Sequence, residues 1–580
     1  MPIHNEDIAA AFDEIADLLE VENANPFRVR AYRNAARTLR GLPQEVAAWV
    51  EEGRDLTELP GIGADLAGKI TEFVTTGHLK ALDQLRREVP PTVEDLLRIP
   101  GLGPKRVRAL YLDRGIKTVE QLEAAARAGE LRALPGFGPK TEQKILEALA
   151  ARRTKKQRFL RAVAASYAEP LREALASAPG VHQAVIAGSY RRGRETVGDI
   201  DILVTAERDS PVMQRFTGYD EVAEVVSQGT TRATVILQSG LQVDLRVVAQ
   251  ESFGAALQYF TGSKAHNIEV RRLGQDRDLK INEYGVFRGG QVVAGDTEES
   301  VYAAVDLPWI PPELREARGE IEAAQRGRLP ALVSRDDLHG DLHCHTSATD
   351  GKAGLEAMVS AAREAGLEYL AITDHSHHLR VARGLDASRL LAQMEAIDRL
   401  NERLQGFRVL KGIEVDILED GRLDLDDDVL CRLDLVVAAV HSQLDLPRAR
   451  QTRRILRAMD SPCFTILAHP SGRLLGTRPA MDVDMAEIIR HAAERGCYLE
   501  LNSHPERLDL DDVNCMAARE AGVLVSINSD AHTIHDFANL AHGVLQARRG
   551  WLGAADVLNT RSLEVLLPLL QRTMHRPVST

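Results

Sequence analysis

Asp199-Ile200-Asp201 sits in a β-rich run, DIDILVT. In a strand, residues i and i+2 point to one face, so the two carboxylates are presented together. Facing carboxylates repel unless a cation neutralises them, and oxygen-only ligation suits Mg²⁺. Asp244, in a second alternating run (QVDLRVV), could supply a third carboxylate. Three carboxylates fit a two-metal site for in-line phosphoryl transfer. Just upstream, Gly188-Ser189-Tyr190-Arg191-Arg192-Gly193 offers turn N–H groups and the Arg192 guanidinium as a cradle for outgoing phosphates. The same Asp-x-Asp pattern also occurs on exposed strands and at calcium sites.

A second constellation starts at Asp341-Leu342-His343-Cys344-His345, where His343 and His345 share a strand face. Further candidates fall at the ends of apolar runs: Asp350, Asp374-His375, Glu414, His441, His469 and Asp530-Ala531-His532. Mixed imidazole and carboxylate donors favour Zn²⁺ or Mn²⁺. Their number exceeds what one tetrahedral ion needs, so a cluster of two or three ions is expected. Such a cluster makes hydroxide near neutral pH for phosphate ester hydrolysis. His377, His378, His491, His504, His535 and His542 lie outside the pattern and are read as bystanders, and Cys344 is expected to pack inward.

A third feature is a repeat: Leu-Pro-Gly-Ile-Gly at 59–63, Ile-Pro-Gly-Leu-Gly at 99–103 and Leu-Pro-Gly-Phe-Gly at 134–138. Each copy lies between helix-like runs. Glycines Gly61, Gly63, Gly101, Gly103, Gly136 and Gly138 permit close approach of a backbone, and the helix that follows each turn has unpaired N–H groups for a phosphate. Lys105, Arg106 and Lys140 follow where they could meet neighbouring phosphates. The pattern resembles the helix-hairpin-helix motif, which grips DNA without reading sequence. A single copy would serve equally as a tight interhelical turn.

The elements that must position these groups divide the 580 residues into several units. Residues 1–90 and 91–152 read as helical, 153–250 as mixed α/β, 251–310 as a smaller continuation, 311–338 as a linker and 339–575 as alternating strands and helices. That last alternation argues for parallel strands with helical crossovers, whose functional groups gather at the strands' carboxyl ends. The net charge is −13 but unevenly spread. Residues 101–200 hold 19 Lys and Arg against 10 Asp and Glu, residues 339–580 hold 27 against 35, and 14 of 18 His lie in the latter. A basic block suits a polyanion and an acidic, histidine-rich block suits cations. Apolar runs are too short to span a bilayer, and neither a secretory signal nor a transit peptide is indicated. Five cysteines without disulfide-like spacing suggest reduced thiols and a cytoplasmic setting.

GSYRRGRETVGDIDILV matches the nucleotidyltransferase signature G-S-x-x-R-G…D-x-D with the spacing of family X DNA polymerases, and YFTGSKAHN at 259–267 resembles that family's YFTGS…N segment. This resemblance covers residues 1–310. It implies Asp199, Asp201 and Asp244 as metal-holding catalytic residues, and Gly188, Ser189 and Arg192 at the triphosphate. Tyr259, Phe260 and Gly262 would lie against the sugar, Asn267 at the incoming base and Arg271 at the template. Where the family often has Arg two positions before the third Asp, this chain has Gln242, which implies a less firmly oriented carboxylate. The N-terminal unit resembles the family's lyase domain, with Lys69 at the Schiff-base position. Asp65 and Phe27 replace a lysine and a histidine there, so Lys69 is read either as a nucleophile or as a phosphate contact.

DLHCHTSATDG…ITDH…GIEVD…VHSQL…LAHP…NSDAH resembles the PHP (polymerase and histidinol phosphatase) domain over about 339–575. The resemblance implies a distorted β/α barrel with a trinuclear site, with His343, His345, Asp350, His375, Glu414, His441, His469, Asp530 and His532 as ligands. The fold expected is thus multidomain α/β: helix-hairpin-helix units, a nucleotidyltransferase palm on a mixed sheet, a thumb and a C-terminal barrel. The function expected is gap-filling, template-directed DNA synthesis in repair. Its substrates would be gapped or primer-template DNA and dNTPs, with Mg²⁺ or Mn²⁺ at the palm. A Zn²⁺ or Mn²⁺ phosphoesterase would act as 3′→5′ exonuclease or abasic-site endonuclease. The chain is expected to be a cytoplasmic monomer with no membrane partner. The alternatives are a small-molecule phosphatase or pyrophosphatase in the barrel, or a DNA-end-binding scaffold.

Overall fold

The computed structural model describes residues 5–574 except 23, 42–45, 60, 90–92, 94–95, 98, 100–101, 135–136, 139–140, 144, 147–148 and 150–157. The chain divides into two compact units, residues 1–157 and 158–580. Among the described residues no helix is long and apolar enough to cross a membrane.

The first unit is helical. In helix Asn5–Val21 the apolar residues recur at helical spacing, so Ile8, Phe12, Ile15 and Leu19 form one buried stripe. They share a core with residues as distant as Leu122 and Leu149. The expected boundary at 90/91 therefore falls inside a single hydrophobic core. The three repeats share one backbone hydrogen bond. Ile62, Leu102 and Phe137 donate their N–H to Leu59, Ile99 and Leu134 at 3.0–3.1 Å, and all six side chains are buried.

The second unit begins with a five-stranded sheet in the order Val181–Ile186, Asp199–Ala206, Gln242–Val248, Arg232–Leu237, Val222–Gln228. The Asp199 and Gln242 strands run parallel and the other neighbours antiparallel. Alternation decides what each face carries. Ile200, Ile202 and Val204 pack with Val243 and Leu245 under helix Arg161–Ala176. Asp199, Asp201 and Leu203 therefore point the other way, where Leu203 meets Phe253, Ala256 and Leu257 of helix Phe253–Thr261.

The segment 311–338 is not a solvated linker. Arg315 is wholly buried, its Nη1 2.6 Å from Glu298 and its Nε donating to the Ile310 carbonyl at 2.8 Å. Glu320 accepts from the Ala317 and Arg318 N–H groups and lies 2.7 Å from His266 Nδ1. Ile321 and Ala324 join the core of Val270, Tyr302 and Trp551. A composition rich in charge and Pro misled here because each buried charge has a partner.

In the C-terminal part, parallel strands form two arcs: Gly340–Asp341, Tyr369–Ile372 and Arg408–Lys411, then Glu414–Asp416, Val437–Ala439, Ile466–Leu467, Tyr498–Asn502 and Val525–Asn528. Bridges between His375 and Glu414 and between Cys344 and Ala531 join the arcs into a distorted barrel. The cysteines correct an expectation: Cys431 and Cys463 form a disulfide, while Cys344, Cys497 and Cys515 are free and buried. These two residues precede the adjacent strands Val437–Ala439 and Ile466–Leu467, so strand pairing brings together positions 32 apart in sequence.

Candidate active sites

In the palm, register does what i, i+2 spacing alone could not. Asp201 pairs directly with Asp244 across the parallel ladder, and Asp199 stands two residues before Asp201. All three carboxylates thus share the sheet face opposite the core. Burial, then the charges of Asp199 and Asp244, push the Asp201 carboxyl up to about 7. Gly188 approaches so closely that a Cβ there would meet Asp201 Oδ2 at 2.5 Å, and its φ of +64° suits glycine. Asp244 is firmly oriented despite the missing arginine. Thr234 Oγ1 donates to it at 2.5 Å, Gln242 Nε2 at 2.8 Å, and Arg232 stands 3.8 Å away. Arg246, two residues on, lies on the same strand face and over the Phe260 ring at 4.2 Å. It was missed in the sequence, although the same period-2 argument points to it.

Ser189 lies half-buried in the short helix Gly188–Arg191. Arg192 is held by Glu316 and by the Thr261 carbonyl. Tyr259 and Phe260 meet edge-to-face at 5.1 Å, and the Arg271 guanidinium lies 5.9 Å from the Tyr259 ring centre. Gly262, at φ +70°, caps this helix. Asn267 is buried: its amide donates to the Tyr259 carbonyl at 2.7 Å and accepts from Gln258 at 2.9 Å. A contact with a base would require it to exchange one of these partners.

In the barrel, all nine predicted residues come together. Histidines His343 and His345 are wholly buried. Three overlapping groups have donor atoms within 4.8 Å of one another: His345, Asp350, His375 and His532; His343, His345 and Asp530; His375, Glu414 and His441. His469 joins them through Glu414, its Nε2 3.0 Å from the carboxylate. His343 Nε2, His345 Nδ1 and Glu414 Oε2 are buried without a hydrogen-bond partner, which fits donors aimed at cations. Burial works to raise the Glu414 carboxyl, yet the imidazoles of His375, His441 and His343 carry it well below the usual range. Burial and the neighbouring His375 push His345 down to about 4, leaving a neutral ring suited to ligation. His469 and Asp530 adopt φ of +28° and +54°, values uncommon for residues other than glycine.

Around this set stand residues the sequence pattern did not single out. Glu500 lies 2.7 Å from His343 Nδ1 and Asp416 lies 3.1 Å from His441 Nδ1, the carboxylate–histidine arrangement that orients metal ligands. Asp416 follows Glu414 by two residues on one strand, while Glu500 lies on the strand Tyr498–Asn502, which carries none of the nine. Asp374 is no ligand: it accepts from Thr346, Thr349 and Gln393. The Cys344 thiol turns inward to the Ala371 carbonyl.

In the helical unit, Gly63 and Gly103 are the N-caps of Ala64–Thr76 and Pro104–Arg108 without a side-chain cap. Gly61 has φ +77°, and the Gly138 carbonyl accepts from Thr141 and Glu142 N–H. Lys105 is exposed. Gly101, Gly136 and Lys140 lie outside the described residues. Lys69 is half-buried, paired with Asp65 on the same helix and 5.9 Å from the Tyr32 ring centre.

A sheet with three convergent carboxylates beside a glycine-bounded turn defines a nucleotidyltransferase palm, here joined to a barrel whose His, Asp and Glu side chains could hold metal ions. Family profiles agree: "Helix-hairpin-helix domain" over residues 3–79, "SAM-like Helix-hairpin-helix tandem" over 93–151, "DNA polymerase beta palm" over 158–273, "DNA polymerase beta thumb" over 256–316 and "PHP domain" over 341–504. The chain is 38% identical to the DNA polymerase/3′-5′ exonuclease PolX of Bacillus subtilis (strain 168), over 98% of this chain and 100% of that protein. It is 28% identical to DNA polymerase lambda of Rattus norvegicus, over 54% and 56%. It is also 30% identical to a probable phosphatase of Thermoanaerobacter sp. (strain X514), over 38% and 89%. The chain belongs to the family X DNA polymerases that carry a PHP domain.

Proposed function

We propose that this chain fills short gaps in DNA by template-directed synthesis at Asp199, Asp201 and Asp244. The observation that carries this reading is the register of Asp201 against Asp244 with Asp199 on the same face. Mg²⁺ or Mn²⁺ bound there would offset the three charges and those that develop on the transferred phosphoryl group. The residues do the rest. The Asp201 carboxyl, raised to about 7, must lose its proton to take part. The turn at Gly188 and Ser189, with Arg192, holds the triphosphate. Tyr259, Phe260 and Gly262 lie against the sugar, Asn267 against the incoming base and Arg271 near the template. The glycine turns and Lys105 hold the DNA backbone. Lys69, engaged with Asp65, serves as a phosphate contact rather than a Schiff-base nucleophile. DNA and dNTPs as substrates fit a cytoplasmic setting, and the chain is proposed to act as a monomer. The double substitution Asp199→Ala with Asp201→Ala is expected to abolish extension on a gapped duplex and to leave primer shortening intact. Normal extension by this variant would overturn the assignment.

For the barrel we propose a 3′→5′ exonuclease, with abasic-site cleavage as a related activity. The nine-residue set would hold two or three Zn²⁺ or Mn²⁺ ions, which supply hydroxide at neutral pH. The buried imidazole and carboxylate atoms without partners support this reading. The resemblance to a probable phosphatase favours a second reading, a phosphomonoesterase. A 3′-labelled primer compared with a phosphomonoester separates the two: primer shortening supports the nuclease, while monoester turnover without shortening refutes it. Elemental analysis of the same sample identifies the ions.

A further inference from the structure

The turn that carries Ser189 and Arg192 is gripped by the C-terminal barrel. Arg549, with a side chain only 1% exposed, ends the helix Leu540–Arg549. Its Nη1 donates to the Arg192 carbonyl at 2.7 Å and to Glu316 Oε1 at 2.9 Å, and its Nη2 to Asp512 at 2.5 Å. The same Glu316 oxygen accepts from Arg192 Nε at 3.1 Å, while Arg192 Nη1 donates to the Thr261 carbonyl at 2.5 Å. One carboxylate oxygen thus bridges the arginine expected at the triphosphate and an arginine of another domain. Three residues on, Glu195 accepts from Gln546 Nε2 at 2.6 Å and pairs with Arg473. Between these contacts Gly193, at φ +71°, lies so close to Leu545 that a Cβ would meet its Cγ at 2.6 Å. Both ends of residues 192–195 and their middle are therefore fixed by barrel residues.

We propose that the barrel reaches the polymerase's nucleotide site through Arg549, with Glu316 and Arg549 as positioning residues that set the Arg192 guanidinium for the triphosphate of the incoming nucleotide. Glu316 and the Thr261 carbonyl engage Nε and Nη1, and neither contact uses Nη2. Arg549, shared between Glu316 and Asp512, offsets the carboxylate charge that would otherwise oppose a bound polyphosphate. The substrate triphosphate is held in the ground state and in the transition state alike. Loosening its arginine should therefore weaken nucleotide binding and spare the chemical step.

The inference rests on Arg192 as the triphosphate arginine, and the test separates the two claims. Full-length variants are assayed for single-nucleotide gap filling over a dNTP titration. Glu316→Ala and Arg549→Ala are each expected to raise KM for dNTP about tenfold with kcat within about twofold. Arg548→Ala, on the same helix but paired with Glu313, leaves both unchanged. In an Arg192→Ala background, Glu316→Ala is expected to add less than about twofold, because coupled residues are not additive. If Arg549→Ala fails to fold, Arg549→Lys keeps a charge but cannot span the three acceptors, and carries the same expectation. An unchanged KM in Arg192→Ala refutes the triphosphate assignment. A raised KM in Arg192→Ala with unchanged values in Glu316→Ala and Arg549→Ala, or a change in kcat alone, overturns the proposal.

Discussion

Single residues set the chemistry of both sites through neighbours that do none themselves. Glu500 is wholly buried and lies 2.7 Å from His343 Nδ1, so it orients the ring whose Nε2 faces Glu414 and Asp530. Removing such an orienting carboxylate typically costs about 10–100-fold in metal affinity. Glu500→Gln, which keeps the shape and removes the charge, is therefore expected to lower metal retained after dialysis and to slow primer shortening. Extension at the palm should be unaffected. Full metal content with normal shortening would show that His343 needs no such partner. Gln242 illustrates the same principle in the palm. It takes the place of a family arginine, yet Asp244 keeps two close donors, one from Gln242 and one from Thr234 on the neighbouring strand.

At the scale of elements, two of the glycine turns matter because each caps a helix with backbone alone. Gly63 and Gly103 leave the first N–H groups of their helices without a side-chain acceptor, so an external phosphate can serve. Lys105, exposed in the second turn, adds a charge at that position. Binding of a gapped duplex should weaken steeply with salt, and Lys105→Ala should flatten the log–log slope by about 0.9, the value for one phosphate contact. The measurement is fluorescence anisotropy across a salt series. An unaltered slope would remove Lys105 from the DNA contacts, and a flat profile for the parent chain would remove the turns with it.

For the whole molecule, residues 158–574 are expected to unfold as one cooperative body. Trp551 of the barrel is 8% exposed and packs in the core formed by Val270, Tyr302, Ile310 and Ile321. Truncating a buried aromatic costs about 3–5 kcal/mol. Trp551→Ala should therefore lower the temperature at which gap filling is lost as well as that at which primer shortening is lost. Thermal inactivation confined to primer shortening would mean that the palm and barrel melt separately.

What the sequence determined by itself is the inventory and its grouping. Period-2 spacing placed Asp199 with Asp201 and His343 with His345, and the repeated turn marked the hairpins, because local backbone geometry decides which neighbours share a face. The fold class followed from the alternation of strands and helices. Tertiary structure alone decided the rest. It paired Asp201 with Asp244 across a ladder, and it joined Cys431 to Cys463 through adjacent strands. It turned a charged segment around Arg315 and Glu320 into core, and it set Arg549 on the turn of Arg192. Each of these depends on contacts between residues tens to hundreds of positions apart, and no local pattern encodes such a contact. A buried charge reads as a surface charge until its partner is in view.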